Sequence, residues 1–319
     1  MQTVLVAGGA GFIGSHLCRK LLEKGYRVFC LDNLITGDKE NIRGLLDNPD
    51  FRFVQDDITE TLNFKFQTSN FKFIFHLASP ASPNKKSPRS YINHPIETLL
   101  ANSLGTYHLL ELARKSKARF LCVSSSEIYG DSSISPQKED YFGNVNPNGP
   151  RSVYDEGKRF GEAITMSYVR KFDLDCRIVR IFNTYGPNMQ KDDGRVISNF
   201  INQAINNQEI TIYGTGTQTR SFCYIDDMVS GLLKVMFKEG LKGEVFNLGN
   251  PDERTIREIA SIIKDMTDSD SEIIFSDLPE DDPKQRKPDV VKAEKILGWK
   301  PQIFLEEGLE KTISYFRKI

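Results

Sequence analysis

The sequence predicts an α/β protein, a doubly wound parallel sheet with a smaller C-terminal lobe. Three observations lead there. Short apolar runs alternate with helical periods through the first 182 of 319 residues, a glycine-rich turn joins the first run to the first helix, and the alternation lapses beyond residue 183. The length suits about two domains.

The elements follow in order. Residues 3–7 are a short apolar run, and Gly8-Gly9-Ala10-Gly11-Phe12-Ile13-Gly14 comes at once after it. A helix is expected over about 15–24 with Leu17, Leu21 and Leu22 inward, and a second strand over 27–31 ends at Asp32. Gly8, Gly11 and Gly14 form G-x-x-G-x-x-G, a spacing of the dinucleotide fingerprint of Rossmann-type folds. Glycine permits the tight turn, the approach of a pyrophosphate to the backbone and close packing of helix on strand, while the helix N-terminus adds N–H groups and partial positive charge. Glycine triplets alone are weak evidence. Here a strand precedes, a helix follows, and an acid closes the second strand 18 positions after Gly14. Asp32 is suited to accept hydrogen bonds from adenosine ribose hydroxyls and to repel a 2′-phosphate, which predicts NAD over NADP.

The alternation continues. A strand over 51–55 leads to Asp56-Asp57-Ile58, and one over 71–77 ends in His76-Leu77-Ala78-Ser79. The helix expected over 95–116 carries Ile96, Leu99, Leu100, Leu104 and Tyr107, more apolar surface than one face needs. A strand over 120–124 runs into Ser124-Ser125-Ser126-Glu127, and another is expected over 176–182. Every motif falls at a strand's carboxyl end, where open parallel sheets bind ligands. Residues 1–182 thus read as the dinucleotide-binding domain. Residues 183–319 are mainly a second lobe, with helices near 196–206, 255–264 and 290–297, a strand near 210–213 and a charged loop over 279–288. A segment near 215–250, including a strand over 245–248, is expected to return to the first domain, with the ligand site in the cleft between lobes.

Tyr154 and Lys158 lie four residues apart in a helical period, on one face one turn apart. An ammonium beside a phenol favours the phenolate and suits it to act as a general base. An isolated Y-x-x-x-K is more often packing and surface charge; the neighbouring dinucleotide motif reverses those odds.

Bulk properties exclude other classes. Net charge is −1 with both signs mixed, so no footprint for nucleic acid or an anionic membrane exists. The five cysteines and four histidines are scattered, which suggests buried thiols in a reducing compartment and no metal site. No leader pattern opens the chain and no apolar run reaches membrane-spanning length, so a soluble cytoplasmic protein is expected.

With G-x-x-G-x-x-G, Asp32, Ser125 and Tyr154-x-x-x-Lys158 in this order, the chain resembles the extended short-chain dehydrogenase/reductase family, which contains nucleotide-sugar epimerases, 4,6-dehydratases and decarboxylases. The runs His76 to Pro83, Tyr154 to Arg159, Arg180 to Pro187, Asp193-Gly194-Arg195-Val196, Asp281-Asp282-Pro283 and Arg286 to Asp289 look like the branch that decarboxylates UDP-glucuronic acid, over nearly the whole chain. A UDP-sugar 4-epimerase or 4,6-dehydratase is the alternative; the 4,6-dehydratases typically carry an Asp-Glu pair where this chain has Ser126-Glu127.

The resemblance implies roles. NAD would contact Gly8, Gly11, Phe12, Ile13, Gly14, Asp32, Asn33, Asp57, Ile58, Leu77, Ala78, Ser79, Asn102, Tyr154 and Lys158. Tyr154, Lys158 and Ser125 would carry proton transfer; Ser125 stands where the branch usually has threonine, and either hydroxyl serves. Glu127 and Arg220 would handle the sugar carboxylate and the C5 proton. Ser126, Asn183, Arg195, Val196, Tyr213, Arg220 and Arg286 would bind the UDP-sugar. A homodimer is implied through a four-helix bundle built from the over-apolar helices. One departure stands out: the loop Asn84-Lys85-Lys86-Ser87-Pro88-Arg89-Ser90-Tyr91 looks longer and more basic than usual for the branch. It reads as a solvated surface insertion.

Overall fold

The computed structural model describes residues 1–60, 70–278, 281, 283 and 285–319. Seven strands form one parallel sheet: β1 (Thr3–Ala7), β2 (Arg27–Asp32), β3 (Phe51–Gln55), β4 (Phe71–His76), β5 (Arg119–Ser125), β6 (Cys176–Ile181) and β7 (Val245–Leu248). Their order is β7-β6-β5-β4-β1-β2-β3, so the chain reverses its direction of travel between β1 and β4 and opens a crevice there. Strands covered on both faces need apolar side chains at successive positions, and Val4, Leu5, Val6 and Ala7 are all fully buried.

Helices cover the two faces. On one, α1 (Phe12–Glu23) contributes Leu17, Cys18 and Leu21 to a core that extends into the second lobe. On the other lie α2 (Pro95–Leu100), α3 (Thr106–Ser116) and α4 (Ser152–Phe172), which place Leu109, Leu110 and Tyr168 on the sheet. The helix expected over 95–116 is interrupted by a widened π turn, Ala101–Gly105. Around it Thr98, Ser103 and Thr106 each hydrogen-bond the carbonyl four residues back, a pattern that competes with the helical ladder and bends it.

In the second lobe α5 (Val196–Ile205) packs near a parallel pair made by Ile210–Tyr213 and Ile273–Ser276. α6 (Ile225–Phe237) packs beside α1, while α7 (Ile256–Thr267) contacts both α5 and the C-terminal helix Leu305–Phe316. Sequence periodicity had not singled out α6 or the C-terminal helix. A three-stranded ribbon joins Glu253–Thr255, Thr219–Ser221 and Gln285–Arg286, with Arg286 in register beside Arg220. The charged stretch over 279–288 is therefore not loop throughout: Gln285–Arg286 is a strand that carries its arginine inward, 3% exposed. Pro279, Glu280, Asp282 and Lys284 of that stretch lie outside the described residues. No described helix is long and apolar enough to cross a membrane.

Candidate active site

The glycine turn and the ends of β2 and β4 form one end of a continuous cleft. Gly8 has φ +82°, and a Cβ there would come within 2.6 Å of the Ala78 backbone nitrogen. A Cβ on Gly14 would collide with the Gly8 carbonyl oxygen, so α1 approaches the turn only because residue 14 has no side chain. Asp32, 8% exposed, accepts backbone N–H bonds from Ala10 and Leu34 at 2.9 Å each; burial raises its pKa against their pull. Asn33 donates to Asp57 at 2.7 Å, tying the ends of β2 and β3. Asp32, Asn33, Asp57, Ile58, Leu77, Ala78 and Ser79 line this end together with Gly8 and Gly11. Asn102 does not line it. Its amide donates to the Ser79 hydroxyl and the Thr98 carbonyl, both at 2.8 Å, so it braces the wall from behind.

The cleft continues as a volume of about 560 Å³ lined by Gly14, Phe12, Ile13, Ser125, Tyr154 and Lys158. β5 delivers Ser125, whose Oγ accepts from the Glu127 N–H at 3.2 Å and starts the 3-10 turn Ser126–Tyr129. α4 begins at Ser152, so Tyr154 and Lys158 occupy its first two turns, each 6% exposed. Lys158 Nζ donates to the Val123 carbonyl at 3.0 Å and stands 5.6 Å from the Tyr154 ring centroid. Burial lowers the lysine to about 8. Tyr154 is not lowered as the i, i+4 spacing suggested. Burial pushes the phenol up to about 12, and the hydrogen bond with Ser125 offsets only part of that. Lys158 is spent on a backbone carbonyl, and among the protein's own groups desolvation wins.

Beyond Tyr154 the charges concentrate. Glu127 bonds Arg151 at 2.6 Å and also pairs closely with Arg286, which hydrogen-bonds Ser126 at 3.4 Å. Burial alone would raise the Glu127 carboxyl, but the two guanidinium charges hold it well below the usual carboxylate range. The structure thus brings Arg286, rather than Arg220, to Glu127. Arg220 is turned towards backbone carbonyls, bonding Thr219 at 2.8 Å and Pro283 at 2.6 Å, although it still lines the cleft. Arg195 forms a two-pronged pair with Asp193 at 2.5 and 2.7 Å. Asn183, Val196 and Tyr213 line the same wall.

Sequence reasoning missed two residues here. Arg151 lies three positions before Tyr154, a helical spacing that could have flagged it. Tyr91, from the basic loop, stacks on Tyr154 with centroids 5.1 Å apart and planes within 11°. That loop is no solvated insertion: Ser87 and Ser90 are fully buried, Tyr91 is 1% exposed, and Lys85, Lys86 and Arg89 line the cleft. Only a tertiary contact with α4 could place it there.

A glycine cradle that any Cβ would fill, beside a buried acid at the end of β2, fits a dinucleotide. The chain matches the model of the NAD dependent epimerase/dehydratase family over residues 4–249. It is 46% identical over 317 residues to UDP-glucuronic acid decarboxylase 1 of Xenopus tropicalis, covering 99% of this chain and 72% of that one. It is 47% identical over 315 residues to UDP-glucuronic acid decarboxylase 3 of Arabidopsis thaliana, covering 98% and 89%. Among solved structures it is similar to a UDP-glucuronic acid 4-epimerase from Bacillus cereus in complex with UDP-glucuronic acid and NAD. There the TM-score is 0.88 at 30% identity, with 99% of each chain covered.

Proposed function

The chain belongs to the NAD dependent epimerase/dehydratase family, and from that premise we propose that it decarboxylates UDP-glucuronic acid to UDP-xylose through a 4-keto stage. The observation that carries the choice within the family is the charge arrangement past Tyr154, where Arg151 and Arg286 both bond the Glu127 carboxylate beside the reacting group. The buried Arg286 Nη2, which has no hydrogen-bond partner among the described residues, offers a charged donor to a sugar acid.

NAD is held by the glycine cradle, Asp32 and the walls at Asp57 and Ser79; bound there it supplies a hydride acceptor that later becomes the donor. Tyr154 takes the proton of the sugar 4-hydroxyl, with Ser125 hydrogen-bonded to the same oxygen; burial alone keeps this phenol protonated, and the positive charge that NAD would bring to the site favours the phenolate the step requires. Lys158 keeps a positive charge beneath the pair below about pH 8. The 4-ketone is beta to the C5 carboxylate, so carbon dioxide leaves as its electrons flow into the carbonyl. The Tyr154 and Ser125 hydroxyls then stabilise the enolate oxygen. Arg286, with buried Nη2 lacking a partner among the described residues, is the group best disposed to orient the carboxylate, and Glu127 holds Arg286 and Arg151 in place. Arg195, Asn183 and Tyr213 bind the nucleotide. On this reading residues 1–182 and a returning segment near 215–250 form the NAD domain, and 183–319 mainly bind the nucleotide sugar. Exposed Ile96, Leu100, Leu104, Tyr107 and Phe160 on α2–α4 support a homodimer through a four-helix bundle. Five free, buried cysteines suit the cytoplasm.

The test is purified protein with UDP-glucuronic acid and no added reductant, followed by carbon dioxide release and NMR of the sugar. UDP-xylose with carbon dioxide is expected. UDP-galacturonic acid without gas would favour the 4-epimerase reading, which the likeness to the Bacillus cereus enzyme keeps as the second choice.

A further inference from the structure

The basic loop Asn84 to Tyr91 ends against Tyr154, and the mechanism above leaves it without a role. Its backbone is fixed from several sides. Asn93 donates to the Lys85 and Ser87 carbonyls at 2.9 and 2.7 Å, and His94 bonds the Pro88 carbonyl at 2.8 Å. The Tyr91 N–H donates to the Ser82 carbonyl at 3.0 Å, and Ser90 Oγ donates to the same oxygen at 2.9 Å. The Ser82 hydroxyl in turn bonds the Asp193 carbonyl, two residues before Arg195. A segment tied at so many points presents its last ring at one place. That ring is 1% exposed and lies parallel to Tyr154, with centroids 5.1 Å apart and planes within 11°. The Tyr91 hydroxyl bonds no described residue, so the ring is held by its backbone and its flat face rather than by its oxygen.

Tyr154 needs that support. Lys158, bonded to the Val123 carbonyl, stands 5.6 Å from the Tyr154 ring centroid and does not grip the phenol oxygen. The terminal torsion of a tyrosine is broad, so the ring turns unless a face is covered. Proton transfer needs its atoms aligned within hydrogen-bond reach, and a misplacement of about 1 Å can cost roughly a hundredfold. We propose that Tyr91 is a positioning residue: stacked on Tyr154, it fixes the plane of the base and shuts water from that face, so that the phenol meets the sugar 4-hydroxyl in one orientation. This rests on Tyr154 as the base, a role that the decarboxylase and 4-epimerase readings share. The charged and titratable groups facing Tyr154 are Glu127 from the turn after β5, Arg195 at the start of α5, Asp155 and Lys158 on α4, and Tyr91 itself. Removing the Tyr91 ring leaves those charges in place and admits water, which favours the phenolate. The acid limb of the turnover profile, set by loss of the Tyr154 proton, then moves to lower pH.

The test compares wild type, Tyr91→Phe, Tyr91→Leu and Tyr91→Gln, the last two so that a folded protein without the ring is in hand, as checked by circular dichroism. Turnover of UDP-glucuronic acid is followed against pH, whichever product forms. NMR of the tyrosine rings in the NAD-loaded protein reads the flip rate of Tyr154, assigned by its loss in Tyr154→Phe. Tyr91→Leu and Tyr91→Gln should lose roughly ten- to a hundredfold in kcat with KM little changed, the scale of a misplaced reacting group. Both should also move the acid limb down in pH and flip Tyr154 faster, while Tyr91→Phe matches wild type throughout. A fall in kcat with the acid limb and the flip rate unmoved shows packing alone and overturns the positioning role. So does a Tyr91→Phe protein that behaves like Tyr91→Leu, or a Tyr91→Leu protein that behaves like wild type. Near wild-type turnover by Tyr154→Phe overturns instead the reading of Tyr154 as the base, and this role with it.

Discussion

Replacing Glu127 by glutamine keeps the shape of the side chain and removes its charge, leaving Arg151 and Arg286 side by side. Their side chains are 10% and 4% exposed, and that of Glu127 is 17% exposed towards the cleft. Removing one member of a buried pair costs about 3–5 kcal/mol because the other charge stays desolvated. Access from the cleft argues for the lower end, about 3 kcal/mol. The pH dependence carries the sign. A carboxyl held below its unfolded value stabilises the fold above about pH 4.5 and loses that contribution as pH falls towards its folded value. Urea unfolding of wild type and Glu127→Gln at neutral pH should therefore differ by about 3 kcal/mol, and the gap should narrow by about pH 3.5. A gap under about 0.5 kcal/mol at neutral pH, the range of an ordinary surface substitution, would refute the ion-pair account. A pH-independent gap would do the same.

Tyr154→Phe should leave UDP binding within about twofold and cut carbon dioxide release by roughly 10²–10⁴, the usual contribution of a general base; near wild-type turnover would remove Tyr154 from the mechanism. Leu100→Asp combined with Phe160→Asp places charges on the exposed apolar face of α2–α4 without touching the core. Sedimentation should find the wild type dimeric and this variant monomeric with unchanged circular dichroism, and a monomeric wild type would discard the bundle.

Much of the architecture was legible because it depends on local chemistry. Glycine at positions 8, 11 and 14 announces a turn that tolerates no side chain, and apolar runs such as Val4 to Ala7 announce strands covered on both faces. The spacing of Tyr154 and Lys158 followed from helical period alone. The widened turn at Ala101–Gly105 did not, because hydroxyl back-bonding from Thr98, Ser103 and Thr106 has no periodic signature.

By itself, then, the order of residues determined the parallel sheet, the dinucleotide turn and the helix bearing the tyrosine and lysine, since each rests on contacts within a few positions. Tertiary structure decided the rest. It brought Arg286 across 159 positions to Glu127, turned Arg220 to backbone carbonyls, and folded a basic loop until Tyr91 lay on Tyr154. It also left Tyr154 at about 12, because desolvation depends on everything that surrounds a group and not on its neighbours in sequence.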